Sequence, residues 1–218
     1  ITSLYKYYAR MQSRCTPCGL FAACGSGTWS EENKIELSEK EKRHTRLDMN
    51  YLCALAQQLN SHPALLPRLK FYPNNSTYIV GETMRYVEYS YVNNRRVHQI
   101  TSVQYSGYLE DVLKQAEQGA RIDDLATSLV SDDISKEEAE DFIKELIQSQ
   151  LLVSELEPAV TGDEFSHQLI NSLKEINKEH HPEIEQIIQI LESAQEQINQ
   201  LDQQLGNDAE LYRSIYKQ

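Results

Sequence analysis

The stretch that decides the fold is residues 77–105, TYIVGETMRYVEYSYVNNRRVHQITSVQY. Thr77 to Glu82, Met84 to Val92 and Val97 to Tyr105 are rich in Tyr, Val and Ile, residue types that fit a pleated, half-buried surface. Asn93-Asn94 separates the last two runs, so the spacing predicts a β-hairpin preceded by a strand. The period then becomes helical. Tyr108 to Gln118 ends at Gly119, Ile122 to Leu129 follows, and Lys136 to Gln148 has Ser135 and Glu138 in the spacing of a capping box. Leu151-Leu152-Val153 adds a short strand. Three strands followed by three helices is the outline of a winged helix-turn-helix unit.

Working outward, residues 2–14 read as a helix with Arg10 and Arg14 one turn apart on one face. Pro17 and Gly19 break it, and Leu20 to Cys24 is a short apolar run. Glu31 to Arg46 reads as a strand and a loop. Asp48 precedes a second helix over 49–60, with Leu52, Leu55, Ala56 and Leu59 at helical spacing, stopped near Pro63. Beyond the central unit, Asp163 to Asn177 predicts a helix and Pro182 marks a break. Ile184, Ile187, Leu191, Ala194, Ile198, Leu201 and Leu205 then form an apolar seam on a Gln/Glu-rich helix. That seam must pack on another helix, in this chain or in a second copy as a homodimer. The expectation is an α+β fold in three parts, 1–76, 77–156 and 157–218. An amphipathic pattern already running at Ile1, without an initiator Met, predicts a piece of a longer chain.

The charge is uneven. Of the net −12, residues 1–70 contribute +4, residues 71–107 contribute +1 and residues 108–218 contribute −17. A polyanion is expected to meet the first third and avoid the last half, which argues against a whole-surface nucleic-acid binder. No apolar run approaches the length of a membrane span, and the first ten residues lack a signal-peptide layout. Three of the four cysteines (Cys15, Cys18, Cys24, Cys53) fall within ten residues, a poor disulfide framework without a secretory signal. A cytoplasmic protein with no membrane insertion and no cofactor is expected.

The chemistry concentrates in Lys6-Tyr7, Arg10, and Arg14-Cys15-Thr16-Pro17-Cys18-Gly19-Leu20-Phe21-Ala22. Two guanidinium groups one turn apart, beside a hydroxyl at a helix break, make a compact donor array suited to carboxylate or phosphate. From spacing alone, two arginines on a solvated helix face are the better description. The run resembles the Arg-x-x-x-Arg-x-Thr-Pro-Phe-Gly-Leu-Phe-Ala signature of lantibiotic dehydratases (LanB type). It is followed by Arg46-Leu47-Asp48, as that pattern requires, and the likeness extends to Leu151–Leu156 and Pro158…Thr161-Gly162, about three quarters of the chain.

The resemblance implies a two-step dehydration of Ser and Thr in a ribosomal precursor peptide. Glutamate passes from glutamyl-tRNA to the hydroxyl, and a separate domain then eliminates it. Arg10, Arg14, Thr16 and Asp48 match the glutamylation residues. The arginines are expected to face the tRNA acceptor end or the developing oxyanion, and Thr16 to position one of these groups. Asp48 is expected to orient an arginine or take a proton; it also stands where a helix N-cap belongs.

The family's Phe is Cys18 here, which makes Cys15-x-x-Cys18. A zinc or redox site with Cys24 and Cys53 is the third reading, weaker than small buried hydrophobes, and no metal is expected. The central unit resembles the precursor-peptide recognition element of peptide-modifying enzymes. That resemblance implies a leader peptide docked as an added strand between the third strand and third helix, at Val97, Gln99, Thr101, Val103, Phe142, Ile143 and Leu146. The helical residues are to be divided between core and groove. The acidic third helix disfavours DNA. This piece alone is expected to bind leader peptide without catalysis; the alternative is a non-enzymatic peptide-binding or coiled-coil adaptor.

Overall fold

The computed structural model describes residues 2–13, 27–34, 36, 42–93, 95–159 and 161–217. Helix α1 (Thr2–Ser13) is followed by α2 (Met49–Asn60) and strands β1 (Phe71–Pro73), β2 (Tyr78–Val80), β3 (Thr83–Val92) and β4 (Arg95–Gln104). Then come α3 (Gly107–Ala116), α4 (Ile122–Leu129), α5 (Lys136–Gln148), β5 (Leu152–Ser154), α6 (Phe165–Ile176), α7 (Pro182–Leu201) and α8 (Ala209–Tyr216). The mixed helix-and-sheet class agrees with the sequence reading. The expected strand in 31–46 is not found among the described residues there; 42–48 is a connector without regular secondary structure.

Strands β2, β3 and β4 form one antiparallel sheet in that order. Its main unit is the hairpin of two ten-residue strands, β3 and β4, in which Thr83 pairs with Gln104 and Val92 with Arg95. Asn93 turns it at φ 51°, a left-handed conformation that Asn tolerates better than most residues. β1 and β5 make a second, two-stranded sheet, Phe71 opposite Ser154. The two sheets are stitched by side chains. Gln150 donates from Nε2 to the Tyr89 carbonyl (2.8 Å) and accepts from the Tyr89 N–H at Oε1 (3.0 Å). Asn74 Nδ2 donates to the carbonyls of Val87 and Gln150 at 3.0 and 2.9 Å.

The helices follow their local signals. Ser106 caps α3 through the Leu109 N–H. Ser135 and Glu138 close a reciprocal capping box on α5, satisfying donors the first helical turn leaves unpaired. Gly119, at φ +79°, ends the turn after α3; a Cβ there would lie 2.5 Å from the Tyr72 ring, so only glycine fits.

One buried cluster joins all three stretches of the chain. Leu65, Phe71, Leu125, Ile143, Leu152 and Leu173 are each at most 1% exposed within it. The α7 seam is satisfied within the chain: Ile184, Ile188, Leu191, Ala194, Ile198 and Leu201 are buried, and α6 and α8 pack on that helix. Ile188 replaces the expected Ile187, which is half-buried. Leu205 lies past the end of the helix and is 45% exposed, so the seam is shorter than its sequence pattern.

Candidate functional site

β4 lines one concave site with Arg96 and His98, and the chain leaving it at Ser106 enters the wall of a second. The first lies against the N-terminal half of the strand and measures about 430 Å³. Its lining comes from three separate stretches: Arg46, Leu47, Met49 and Cys53 before and within α2; Arg96 and His98 on β4; and the loop from Pro158 to Phe165. Arg46 and His44 both reach Glu164, at 3.6 and 3.2 Å. That pair holds the Glu164 carboxyl below its ordinary range, His44 first by its hydrogen bond and Arg46 by its charge. The connector before α2 is tied at the far side too: Thr45 donates from its N–H and hydroxyl to the two oxygens of Asp202, at 2.8 and 2.6 Å.

Arg96 organises the β4 side of this cavity. Its Nη1 donates to Glu157 Oε1 at 2.8 Å, its Nε to the Tyr91 hydroxyl at 3.0 Å, and its guanidinium lies 3.9 Å from the Tyr89 ring centre. Among the described residues Nη2 is buried without a hydrogen bond; the π face of Tyr89 is the electron-rich surface beside it. Burial works against the Arg96 charge, but the Tyr91 hydroxyl and the Glu157 carboxylate outweigh it, and its pKa rises. Burial likewise pushes Tyr89 up to about 12 and raises the Cys53 thiol. Arg96 and Glu157 were not selected from the sequence. Arg95-Arg96 after Asn93-Asn94 reads as ordinary turn chemistry, and nothing local points to Glu157.

Asp48 occupies the N-cap of α2, between the cavity-lining Leu47 and Met49. Its Oδ1 accepts from the N–H groups of Asn50 (2.9 Å) and Tyr51 (3.2 Å). Among the described residues Oδ2 has no hydrogen bond. Arg10 is exposed in the last turn of α1, and no contact among the described residues joins it to Asp48. Arg14, Thr16, Cys15, Cys18 and Cys24 lie outside the described residues. Cys53 is a half-buried free thiol. No group of three or more potential metal ligands is found among the described residues, and no described helix is long and apolar enough to cross a membrane.

The second site is the outer edge of β4 with a cavity of about 300 Å³ at its C-terminal foot. The hydrogen-bond ladder shows which backbone groups the edge offers. Val87 and Tyr89 turn their backbone groups away from β4, toward Ser76 and Asn74 and toward Gln150 respectively. Tyr105 donates across to the Glu82 carbonyl. In an antiparallel pair bonded and non-bonded positions alternate, so Ile100, opposite Val87, and His98, opposite Tyr89, point their N–H and C=O outward. Ser102 continues the series.

The strand residues chosen from sequence stand in the opposite phase of this ladder. Gln99, Thr101 and Val103 spend their backbone groups on β3, as does Val97 by the same alternation; their side chains, not their backbones, are available. Val103 and Thr101 are half-buried, whereas Val97 is 47% exposed. On α5, Ile143 (0% exposed) and Leu146 (5%) belong to the core and reach no groove. Phe142 lines the foot cavity with Ser106, Tyr108, Leu129, Ile134 and Ala139.

Comparison with known proteins adds to this geometry. The family described as lantibiotic dehydratase, N terminus, matches residues 1–218. The epidermin biosynthesis protein EpiB of Staphylococcus epidermidis is 27% identical over 80% of this chain and 18% of its own length. The nisin biosynthesis protein NisB of Lactococcus lactis subsp. lactis is 23% identical over 99% of this chain and 21% of its own. The solved structure of the tRNA-dependent lantibiotic dehydratase MibB from Microbispora superposes with a TM-score of 0.57 at 16% identity, covering 78% of this chain and 17% of that one. This chain thus spans about a fifth of the length of these relatives. With a match running over every residue, the chain belongs to the lantibiotic dehydratase N-terminal family.

Proposed function

We propose that this chain is the part of a lantibiotic dehydratase that captures the precursor peptide and contributes residues to its glutamylation by glutamyl-tRNA. In the proposed step a Ser or Thr hydroxyl oxygen attacks the glutamyl ester carbonyl. A new ester forms on the peptide, and the terminal ribose oxygen of the tRNA leaves with a proton. Glutamate elimination, which yields the dehydroamino acid, falls to another domain. Arg10, Arg14 and Thr16 are assigned to the acceptor end and the oxyanion, where fixed positive charge is most effective. Asp48 is assigned the hydroxyl proton: its Oδ1 serves the helix cap, and among the described residues Oδ2 has no hydrogen bond.

The observation that carries this reading is the meeting of Arg46 and Leu47, just before Asp48, with Pro158…Thr161-Gly162. These are two parts of the family likeness more than a hundred residues apart, and they enclose one cavity beside Arg96. Residues 77–156 act as a winged-helix recognition unit, with residues 1–76 a piece of the glutamylation core and 157–218 its helical buttress. The leader peptide adds as a strand to β4, bonded by His98, Ile100 and Ser102.

Asp48→Asn separates catalysis from capping. Asn caps a helix nearly as well as Asp, so the unfolding free energy should move by less than about 0.5 kcal/mol. Glutamylation by the full-length protein, read as the glutamyl-ester mass on its precursor peptide, should fall by about 100-fold or more. Unchanged glutamylation in this variant would remove Asp48 from the chemistry. Ile100→Pro deletes an outward N–H without breaking the β3–β4 ladder; leader binding that survives it argues against strand addition.

A further inference from the structure

The chain that delivers Asp48 has no helix or sheet of its own to hold it. Residues 42–48 run into α2 without regular secondary structure, and such a segment is fixed only by what its side chains and neighbours hold. Asp48 is half fixed. Its Oδ1 accepts from the N–H groups of α2, and among the described residues Oδ2 has no hydrogen bond. A group that takes a proton in a reaction must be held to within about half an ångström of its place.

The fastening comes from the far end of the chain. Asp202 grips Thr45 with both oxygens: Oδ2 accepts from the Thr45 N–H at 2.8 Å and Oδ1 from its hydroxyl at 2.6 Å. The same hydroxyl accepts from Arg43 Nε at 3.0 Å, and Arg43 Nη1 donates to the Tyr212 hydroxyl on α8 at 2.8 Å. The side chains of Arg43 and Asp202 are 15% and 20% exposed, so solvent screens this tie less than it screens a surface pair. A backbone donor and a side-chain donor on one carboxylate fix both the place and the orientation of residue 45. Glu164 adds a weaker hold on the exposed His44 and Arg46.

Neither carboxylate serves its own helix. Asp202 is the C-cap of α7, the negative end of the helix dipole, where an anion is unfavourable. Glu164 stands at the N-cap of α6 and makes no side-chain bond to it, where Ser, Thr, Asp or Asn would satisfy the helix N–H groups. Residues that break a local rule are accounted for by what they do elsewhere. What these two do is hold the connector.

We propose that Asp202, with Glu164 in a lesser part, is a positioning residue for the glutamylation step: it fixes Thr45 so that the chain enters α2 with Asp48 Oδ2 turned to the peptide hydroxyl. The inference rests on the role assigned to Asp48 above, and it gives residues 157–218 a share in the reaction as well as in the fold.

The test uses the full-length protein with its precursor peptide and glutamyl-tRNA, the glutamyl ester being read by mass in a single turnover. Rates are taken per folded molecule, from urea unfolding of each variant. Asp202→Ala should slow ester formation by about tenfold or more, while the peptide concentration giving half the maximal rate stays within about twofold. Since the carboxylate opposes the α7 dipole, its removal does not weaken that helix. Thr45→Val, which deletes only the hydroxyl, should slow the step by about three- to fivefold, and it carries the test if Asp202→Ala folds poorly. The decisive variant is Asp48→Asn/Asp202→Ala. It should be no slower than Asp48→Asn, because a residue that acts through Asp48 then has nothing left to position. A further tenfold loss in the double variant would show a general structural role and overturn the proposal. An unchanged rate in both Asp202→Ala and Thr45→Val overturns it too, and the catalytic reading of Asp48 survives if Asp48→Asn is still slow. Full activity of Asp48→Asn removes both.

Discussion

The two concave sites at opposite ends of β4 are built in opposite ways. The foot cavity draws every wall residue from one contiguous stretch, Ser106 to Phe142. The head cavity gathers residues 46–53, 96–98 and 158–165 from three elements that are far apart in the chain. A site assembled locally inherits its shape from helix caps and turns, so its occupant meets a surface that exists whenever the three helices form. A site assembled from distant segments exists only when the whole core closes. The family likeness falls mostly on the second kind, and the proposed peptide-docking edge adjoins the first.

The largest way to break both sites together is through the core they share. Leu152 is 1% exposed and sits on β5, whose pairing with β1 sets the position of Glu157 and the loop beyond it. Leu152→Ala should cost about 2–5 kcal/mol, measured as the shift in urea unfolding of this chain. Separate unfolding steps for the helices 107–148 and the rest would show that the shared core does not couple them.

Arg96→Ala should break only the head cavity. Removing one partner of the half-buried Arg96–Glu157 pair, together with its stacking on Tyr89, is expected to cost roughly 1–3 kcal/mol. Leader affinity at the β4 edge should stay within about twofold, since that contact set is independent. A tenfold loss of leader affinity would show the two sites to be coupled along β4.

Ser135→Ala sharpens the comparison on the other side. It removes the capping box at the lip of the foot cavity and should cost about 1 kcal/mol. It should also free the Glu138 carboxylate, leaving the head cavity and any glutamylation with a saturating peptide unchanged.

The smallest effect is in pH. Tyr89 keeps its proton up to about 12 in the folded chain because it is buried beside Glu157. The unfolded phenol releases its proton near 10. Between these values the unfolded state binds fewer protons, so stability falls as pH rises from about 10 toward 12. Tyr89→Phe should flatten that part of the stability profile, measured by urea titration at pH 9 and pH 11.

Local signals were enough for the strand and helix runs of 77–148. Alternation, Asn93, Ser106, Ser135 and Gly119 each act on neighbours within a few residues, and the elements fall within about two residues of their expected bounds. The apolar pattern of α5 could not say which side chain faces inward. Phe142, Ile143 and Leu146 are all apolar, and only the packing of α4 and β5 against α5 buries the last two. The strand residues were chosen by side-chain period, yet the open edge is decided by ladder phase. That phase is set by Ser76, Asn74 and Gln150 taking up the backbone of β3.

The sequence by itself therefore determined the family, the element order, the capping residues and the acidic character of the last half. All of these are properties of neighbouring residues or of a motif long enough to be specific. Tertiary structure alone decided that Arg46 and Leu47 meet Pro158–Gly162, that Arg96 and Glu157 lock β4 beside them, and that His98 and Ile100 turn their backbone groups outward. Such pairings depend on chain closure over scores of residues, where no local preference of φ, ψ or side-chain type carries the information.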